Sequence, residues 1–98
     1  MTIEMKTNAD ATILAVAGRL DTTTAPVLDK TIHEDLKDVK NLILDLDGVN
    51  YISSAGLRVL LSAQKMMQKI GSMKVIHVCP EVMDVLEMTG FADILVIE

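Results

Sequence analysis

The chain has 98 residues, half of them hydrophobic, enough to bury one core and too few for two, and its apolar content excludes a disordered segment. A formal net charge of −5 and only two aromatic residues, Tyr51 and Phe91, leave neither the basic footprint nor the stacking surface of a nucleic-acid binder. The single cysteine, Cys79, excludes an internal disulfide and reads as a small buried hydrophobe in a protein of a reducing compartment.

From Met1 to Lys6 charge alternates with hydrophobe, unlike a secretory leader, and no apolar run approaches the roughly 18 residues of a membrane span. A cytoplasmic protein without a membrane span is expected. Ile3 and Met5 alternating with Glu4 and Lys6 predict a half-buried edge strand, and Asn8-Ala9-Asp10 turns the chain into the apolar run Thr12–Ala17, its antiparallel partner. Gly18 lets that second strand end. Asp21-Thr22-Thr23-Thr24 offers several N-cap candidates ahead of Pro26, a residue tolerated in a first helical turn. Ala25, Leu28, Ile32, Leu36 and Val39 then recur at helical spacing. His33 falls on the opposite, charged side near Glu34 and Lys37 and reads as a solvated surface residue, with no Ser, Cys or carboxylate arranged to work with it.

Leu42-Ile43-Leu44 predicts a central strand buried on both faces. Asp45 and Asp47 follow at its end, where Asp47-Gly48 is an ordinary turn signal; without a Gly-rich phosphate loop no metal site is expected there. A helix follows the two serines Ser53 and Ser54, its inward apolar positions running from Leu57 to Ile70. Lys74–Val78 predicts another strand, with His77 a core or rim residue. Pro80 starts a third helix with Val82, Val85 and Leu86 inward, and Gly90 ends it with Phe91 placed for the apolar contact of such a cap. Ile94–Ile97 closes the chain as a last strand. The order β-β-α-β-α-β-α-β predicts one small α/β domain over residues 1–98, with a mixed five-stranded sheet: an antiparallel hairpin, then parallel strands joined by right-handed crossovers.

Chemistry beyond folding concentrates at Val49–Leu61, where a strand pattern gives way to a helical one across Ser53 and Ser54. A serine at such a junction serves as an N-cap by default. At about 100° per residue, Leu57, Val59, Leu60, Ala63, Met66, Met67 and Ile70 occupy the half of the helix that must face the sheet. Ser54, Arg58, Ser62, Lys65 and Lys69 form a narrow stripe on the other half, with Leu61 at its margin, and no acidic residue lies between Asp47 and Glu81. An acidic protein thus carries one basic helix face, either merely solvated or a docking surface.

Four stretches carry a resemblance over nearly the whole chain: Gly18-Arg19-Leu20-Asp21 with Ala25 four residues on, Leu42–Leu46, the junction itself, and Met88-Thr89-Gly90-Phe91. They resemble the STAS domain family, and within it the free-standing anti-sigma factor antagonists. The resemblance implies a five-stranded STAS fold and a regulatory binding module without catalysis, cofactor or metal. In that family the junction typically reads Asp-Ser-Ser/Thr-Gly-Leu, so aligning on Gly56-Leu57 carries the phosphorylated serine to Ser54, with neighbouring Ser53 as the alternative acceptor. Two departures stand out: Ser53 replaces the aspartate, and Ala55 replaces the second hydroxyl. The implied partners are an anti-sigma factor serine kinase, bound by the unphosphorylated form, and a PP2C-type phosphatase. Asp21, Thr22, Thr23, Ser53, Ser54, Gly56, Arg58, Leu61, Ser62 and Lys65 are the expected docking residues. The alternatives are a constitutive STAS subunit of a transporter-associated or stress-signalling assembly, with Ser54 only a cap, and a nucleotide-binding protein. Neither a Walker-type loop nor a metal cluster nor a Ser-His-Asp arrangement supports the latter.

Overall fold

The computed structural model describes residues 1–8 and 10–98. It is a small α/β domain with a mixed sheet, in which β1 (Thr2–Asn8), β2 (Ala11–Leu20), β3 (Asn41–Ile52) and β4 (Ser72–Ile76) lie side by side in sequence order. The first pair is antiparallel, in register from Thr2 opposite Ala17 to Asn8 opposite Ala11. Ala9, within the expected hairpin turn, lies outside the described residues. The later pairs are parallel, joined through α1 (Ala25–Asp35) and α2 (Ser54–Ile70). Because neighbouring strands are consecutive in the chain, right-handed crossovers place these helices on one face. Thr12, Leu14, Val16, Leu42, Leu44, Leu46, Met73 and Val75 point into the core with Leu28, Ile32, Leu60 and Met67 from the helices.

That one-sided covering corrects the expectation for β3. Leu42 and Leu44 are buried, but Ile43 between them is only half-buried on the bare side of the sheet. The strand also does not stop at Asp47-Gly48. It runs on to Ile52 through two irregularities, one between Ala15 and Ala17 and one between Gly18 and Arg19 of its partner, which absorb extra β3 residues. Gly48 pairs with Ala17 so closely that a Cβ there would lie 2.5 Å from the alanine Cβ. β2 likewise passes through Gly18, which takes φ +108°, and continues to Leu20.

β4 ends at Ile76. His77 follows with φ +58°, its ring exposed at the rim and Nδ1 3.0 Å from Asp45 Oδ1. α3 (Pro80–Met88) buries Val82 and Leu86 with Val85 packed alongside, and Gly90 leaves it at φ +82° with Phe91 packed on the core, as expected. The fifth strand is not formed. Phe91–Asp93 makes a 3-10 turn whose bonding continues through Leu95, since Ile94 N and Leu95 N both donate to Phe91 O at 3.0 and 2.9 Å. Only the last residues are left to reach β4, and they make a single parallel bridge, Val75 to Ile97.

Candidate functional site

Three chain segments converge where α2 begins. Leu20 and Ile52 are paired at the carboxyl ends of β2 and β3, and Ser53 N donates to Leu20 O at 2.9 Å. Ser53 is extended at φ −100° and ψ 176°, and its Oγ accepts from Gly56 N at 3.4 Å. The N-cap of α2 is therefore Ser53, and Ser54 is the first helical residue, exposed to solvent. The order of the letters alone left both roles open. Ser53→Ala should cost about 0.5–1 kcal/mol, the lower part of the capping range because the bond is long, whereas Ser54→Ala should be close to neutral. Urea midpoints of the two variants check this, and equal losses would reject the assignment.

Gly56 is buried. A Cβ at that position would lie 2.8 Å from both Ile52 Cγ1 and Leu20 Cγ, and 3.0 Å from Leu20 O. Its place in the junction is explained by the close seating of the first turn of α2 on the end of β2, so it shapes the expected docking surface from beneath.

Asp21 organises the segment beside it. Its Oδ1 accepts from Thr23 Oγ1 at 2.8 Å, Thr23 N at 3.0 Å and Thr24 N at 3.1 Å, while the N-cap position of α1 belongs to Thr24. The Thr23 hydroxyl, then the Thr24 amide, hold the Asp21 carboxyl down at about 2 from its usual 3.8, against a smaller opposing effect of burial. A depressed carboxyl contributes stability that is complete above its unfolded value and lost as pH falls through the folded one. The stability difference between wild type and Asp21→Asn should thus be constant above pH 3.8 and shrink towards about pH 2. Thermal melts across that window test it; a difference that persists unchanged would reject the role of the ionised form. Arg19 completes the segment, its guanidinium 4.0 Å from the centre of the Tyr51 ring and its Nε 3.7 Å from Asp21 Oδ2. This bridge between the ends of β2 and β3 was not singled out from the sequence, because the strand register alone brings residue 19 opposite residue 51.

Along α2 the stripe faces solvent. Arg58, Lys65 and Lys69 are exposed, Leu61 and Ser62 half-buried, while Thr22 and Thr23 are exposed across from the helix start. The inward half holds the expected apolar residues and also Gln64, 7% exposed, whose Oε1 has no partner among the described residues. Its spacing, four after Leu60 and seven after Leu57, was the available signal. Arg58, Ser62, Ala55 and Val59 line one wall of an open groove of about 350 Å³, and Ala25, Pro26 and Asp29 of α1 line the other. The basic face of α2 is therefore bordered by an acidic group from α1.

The same packing corrects the reading of His33. Its Nε2 lies 3.1 Å from Ser62 Oγ and its Nδ1 3.2 Å from Asp29 Oδ1. A hydroxyl and a carboxylate are arranged around it after all. Asp29 is one helical turn away, but Ser62 arrives only through the contact of α1 with α2, which no spacing reveals. Among the described residues no group of three or more His, Cys, Asp or Glu could hold a metal ion, and no helix is long and apolar enough to cross a membrane.

The family model of the STAS domain matches residues 2–98. The chain belongs to the STAS domain family. Among the curated relatives of this STAS protein are the anti-sigma-B factor antagonist of Bacillus subtilis, 29% identical over 94 residues with 95% of this chain and 86% of that one covered, and the anti-sigma F factor antagonist of Paenibacillus polymyxa, 30% identical over 96 residues with 95% and 82% covered. BtrV of Bordetella bronchiseptica is 39% identical over 59 residues; the match takes in 59% of this chain and about half, 51%, of that protein. The crystal structure of an anti-sigma factor antagonist from Mycobacterium paratuberculosis superposes with a TM-score of 0.89 at 23% identity, covering 98% of this chain and 83% of that one. The Bacillus cell fate determinant SpoIIAA in its phosphorylated form superposes at 0.66 with 13% identity, covering 99% and 91%. At such identities the two structures establish the STAS fold.

Proposed function

We propose that this STAS protein is an anti-sigma factor antagonist switched by phosphorylation at Ser54. Unphosphorylated, it binds an anti-sigma factor serine kinase and frees a sigma factor; the kinase ends the interaction by modifying Ser54, and a PP2C-type phosphatase restores it. The observation that carries the site is the division of labour at the junction: Ser53 is half-buried and engaged as the cap, while Ser54 stands in solvent one residue on. The names of the relatives and a structural neighbour known in a phosphorylated form support the same reading. So does the electrostatics. No acidic residue occupies the first turn of α2, and exposed Arg58 stands one turn from Ser54, so a phosphate would meet the positive end of the helix and a cation.

Incubation with the kinase and ATP followed by peptide mass spectrometry should place one dominant phosphate on Ser54. Phosphate on Ser53 or on Thr22–Thr24, with Ser54 untouched, would overturn the assignment. Asp21→Asn keeps the acceptor atom and removes the charge, so it should weaken kinase binding more than it changes the melting temperature at neutral pH. Wild-type binding by this variant would reduce Asp21 to a turn residue.

A further inference from the structure

We propose that Ser62 is a base-assisted nucleophile, able to take an acyl group from an activated ester, and that it forms a covalent acceptor site separate from Ser54. Three side chains on two helices carry this. Asp29 and His33 stand four residues apart on α1 and so share one face. His33 Nδ1 lies 3.2 Å from Asp29 Oδ1 and 3.0 Å from the Asp29 carbonyl oxygen. Both neighbours only accept, so the neutral ring is assigned its proton on Nδ1 and its lone pair on Nε2. That lone pair meets Ser62 Oγ at 3.1 Å, and the hydroxyl donates. The ring is oriented by its bond to the Asp29 carbonyl oxygen, with the carboxylate beside it, and its free nitrogen faces the hydroxyl, the connectivity by which a weak alcohol nucleophile loses its proton as it attacks.

The surroundings admit a small electrophile. Ser62 and Arg58 line the same open groove of about 350 Å³ between the helices, with Arg58 one turn before Ser62 and exposed, placed for its guanidinium to oppose charge developing on a carbonyl oxygen. Ser62 lies in the interior of α2, where backbone N–H groups are spent on the helix ladder, so no pair of free amides can act beside it. That bounds the chemistry to acyl transfer onto the chain with slow release. In the step, Ser62 Oγ bonds to the ester carbonyl carbon while its proton passes to His33 Nε2. The bond from that carbon to the leaving oxygen then breaks, and the imidazolium returns the proton to the departing alkoxide. The products are an ester on Ser62 and the free alcohol.

The other serines supply internal controls. Ser53 is occupied as the cap, and Ser72 Oγ donates to Asn41 Oδ1 at 2.8 Å. The full chain would be treated with p-nitrophenyl acetate, following nitrophenolate by absorbance and acetyl groups by peptide mass spectrometry. Acetylation of Ser62 should exceed that of Ser72 by about 10²-fold, the lower end of what general-base assistance contributes. His33→Gln can still bond the hydroxyl but cannot take its proton, so it should remove most of that advantage with an unchanged circular dichroism melt. Ser62→Ala should lose the labelled peptide alone. Acetylation of Ser62 no faster than of Ser72, or equally fast in His33→Gln, would overturn the proposal.

Discussion

Ser54→Asp is expected to leave thermal unfolding nearly unchanged while weakening binding to the kinase proposed as its partner by roughly 30-fold to several thousand-fold. Within the monomer the new charge sits at the first position of α2, where the helix dipole contributes about 0.3–1 kcal/mol and an exposed pairing with Arg58 about 0–1 kcal/mol. Both effects are small and favourable. The cap is untouched, because it belongs to Ser53. At a docking surface built around a neutral hydroxyl, the same charge must shed water without a matched partner, at a cost of about 2–5 kcal/mol. Calorimetric titration against the kinase, beside melts of both proteins, separates the two effects. Normal binding would reject the electrostatic switch and favour a constitutive STAS subunit; unfolding would contradict the placement of the cap on Ser53.

Gly71→Ala should destabilise the fold by about 3 kcal/mol or more, at or beyond the usual range for overpacking. Gly71 closes α2, its N–H donating to Met67 O at 2.7 Å, and the next residue, Ser72, donates to Lys40 O at 2.8 Å. An added Cβ would overlap that Lys40 oxygen and lie 2.5 Å from the Lys40 carbonyl carbon and 2.9 Å from its Cα. All three are backbone atoms, so no side-chain rotation relieves the clash. The start of β3 or the entry to β4 must move. Since φ is 175°, the cost is steric, and the stiffening of the unfolded chain returns only about 0.4–1 kcal/mol. Gly90→Ala is the informative control: nothing lies within 4 Å of its Cβ site, but φ is +82°, so it should lose only the roughly 1–2 kcal/mol of left-handed strain. A urea midpoint for Gly71→Ala within about 1 kcal/mol of wild type, on the scale of m for small domains, would refute the close-approach account.

Elements whose own period decides their burial were legible in the sequence. The inward half of α2, the hairpin pairing and the Gly90 cap all follow from spacing and from residues that tolerate particular dihedrals. What misled were local signals overruled by distant contacts. Asp47-Gly48 has the composition of a turn, yet pairing with Ala17 draws it into a strand. Ile94–Ile97 has the composition of a strand, yet the Phe91 carbonyl holds its first two residues in a turn. At the site the stripe from Ser54 to Lys69 could be read from one helix. The division of Ser53 from Ser54 required the observed cap bond, and the arrangement around His33 required the packing of α1 on α2, a contact across 29 positions.

The single bridge at the end of the chain sets how the sheet breathes. Beyond β4 the pairing consists of Val75 N donating to Val96 O at 2.8 Å and Glu98 N donating to Val75 O at 2.9 Å, with the exposed Lys74–Glu98 ion pair at 3.4 Å beside them. Two bonds form a latch whose release also lifts the partly buried Ile97 from the core while Leu95 can stay in place, so it is a local opening that costs less than global unfolding. Hydrogen exchange at Val75 and Glu98 should be fast and correlated, while the Leu14 and Leu44 amides report global unfolding. Each release uncovers the outer edge of β4, a short row of free donors and acceptors of the kind that templates strand addition. The opposite edge, β1, carries Glu4 and Lys6 in its exposed run, so self-association, where it occurs, should begin at the latch side.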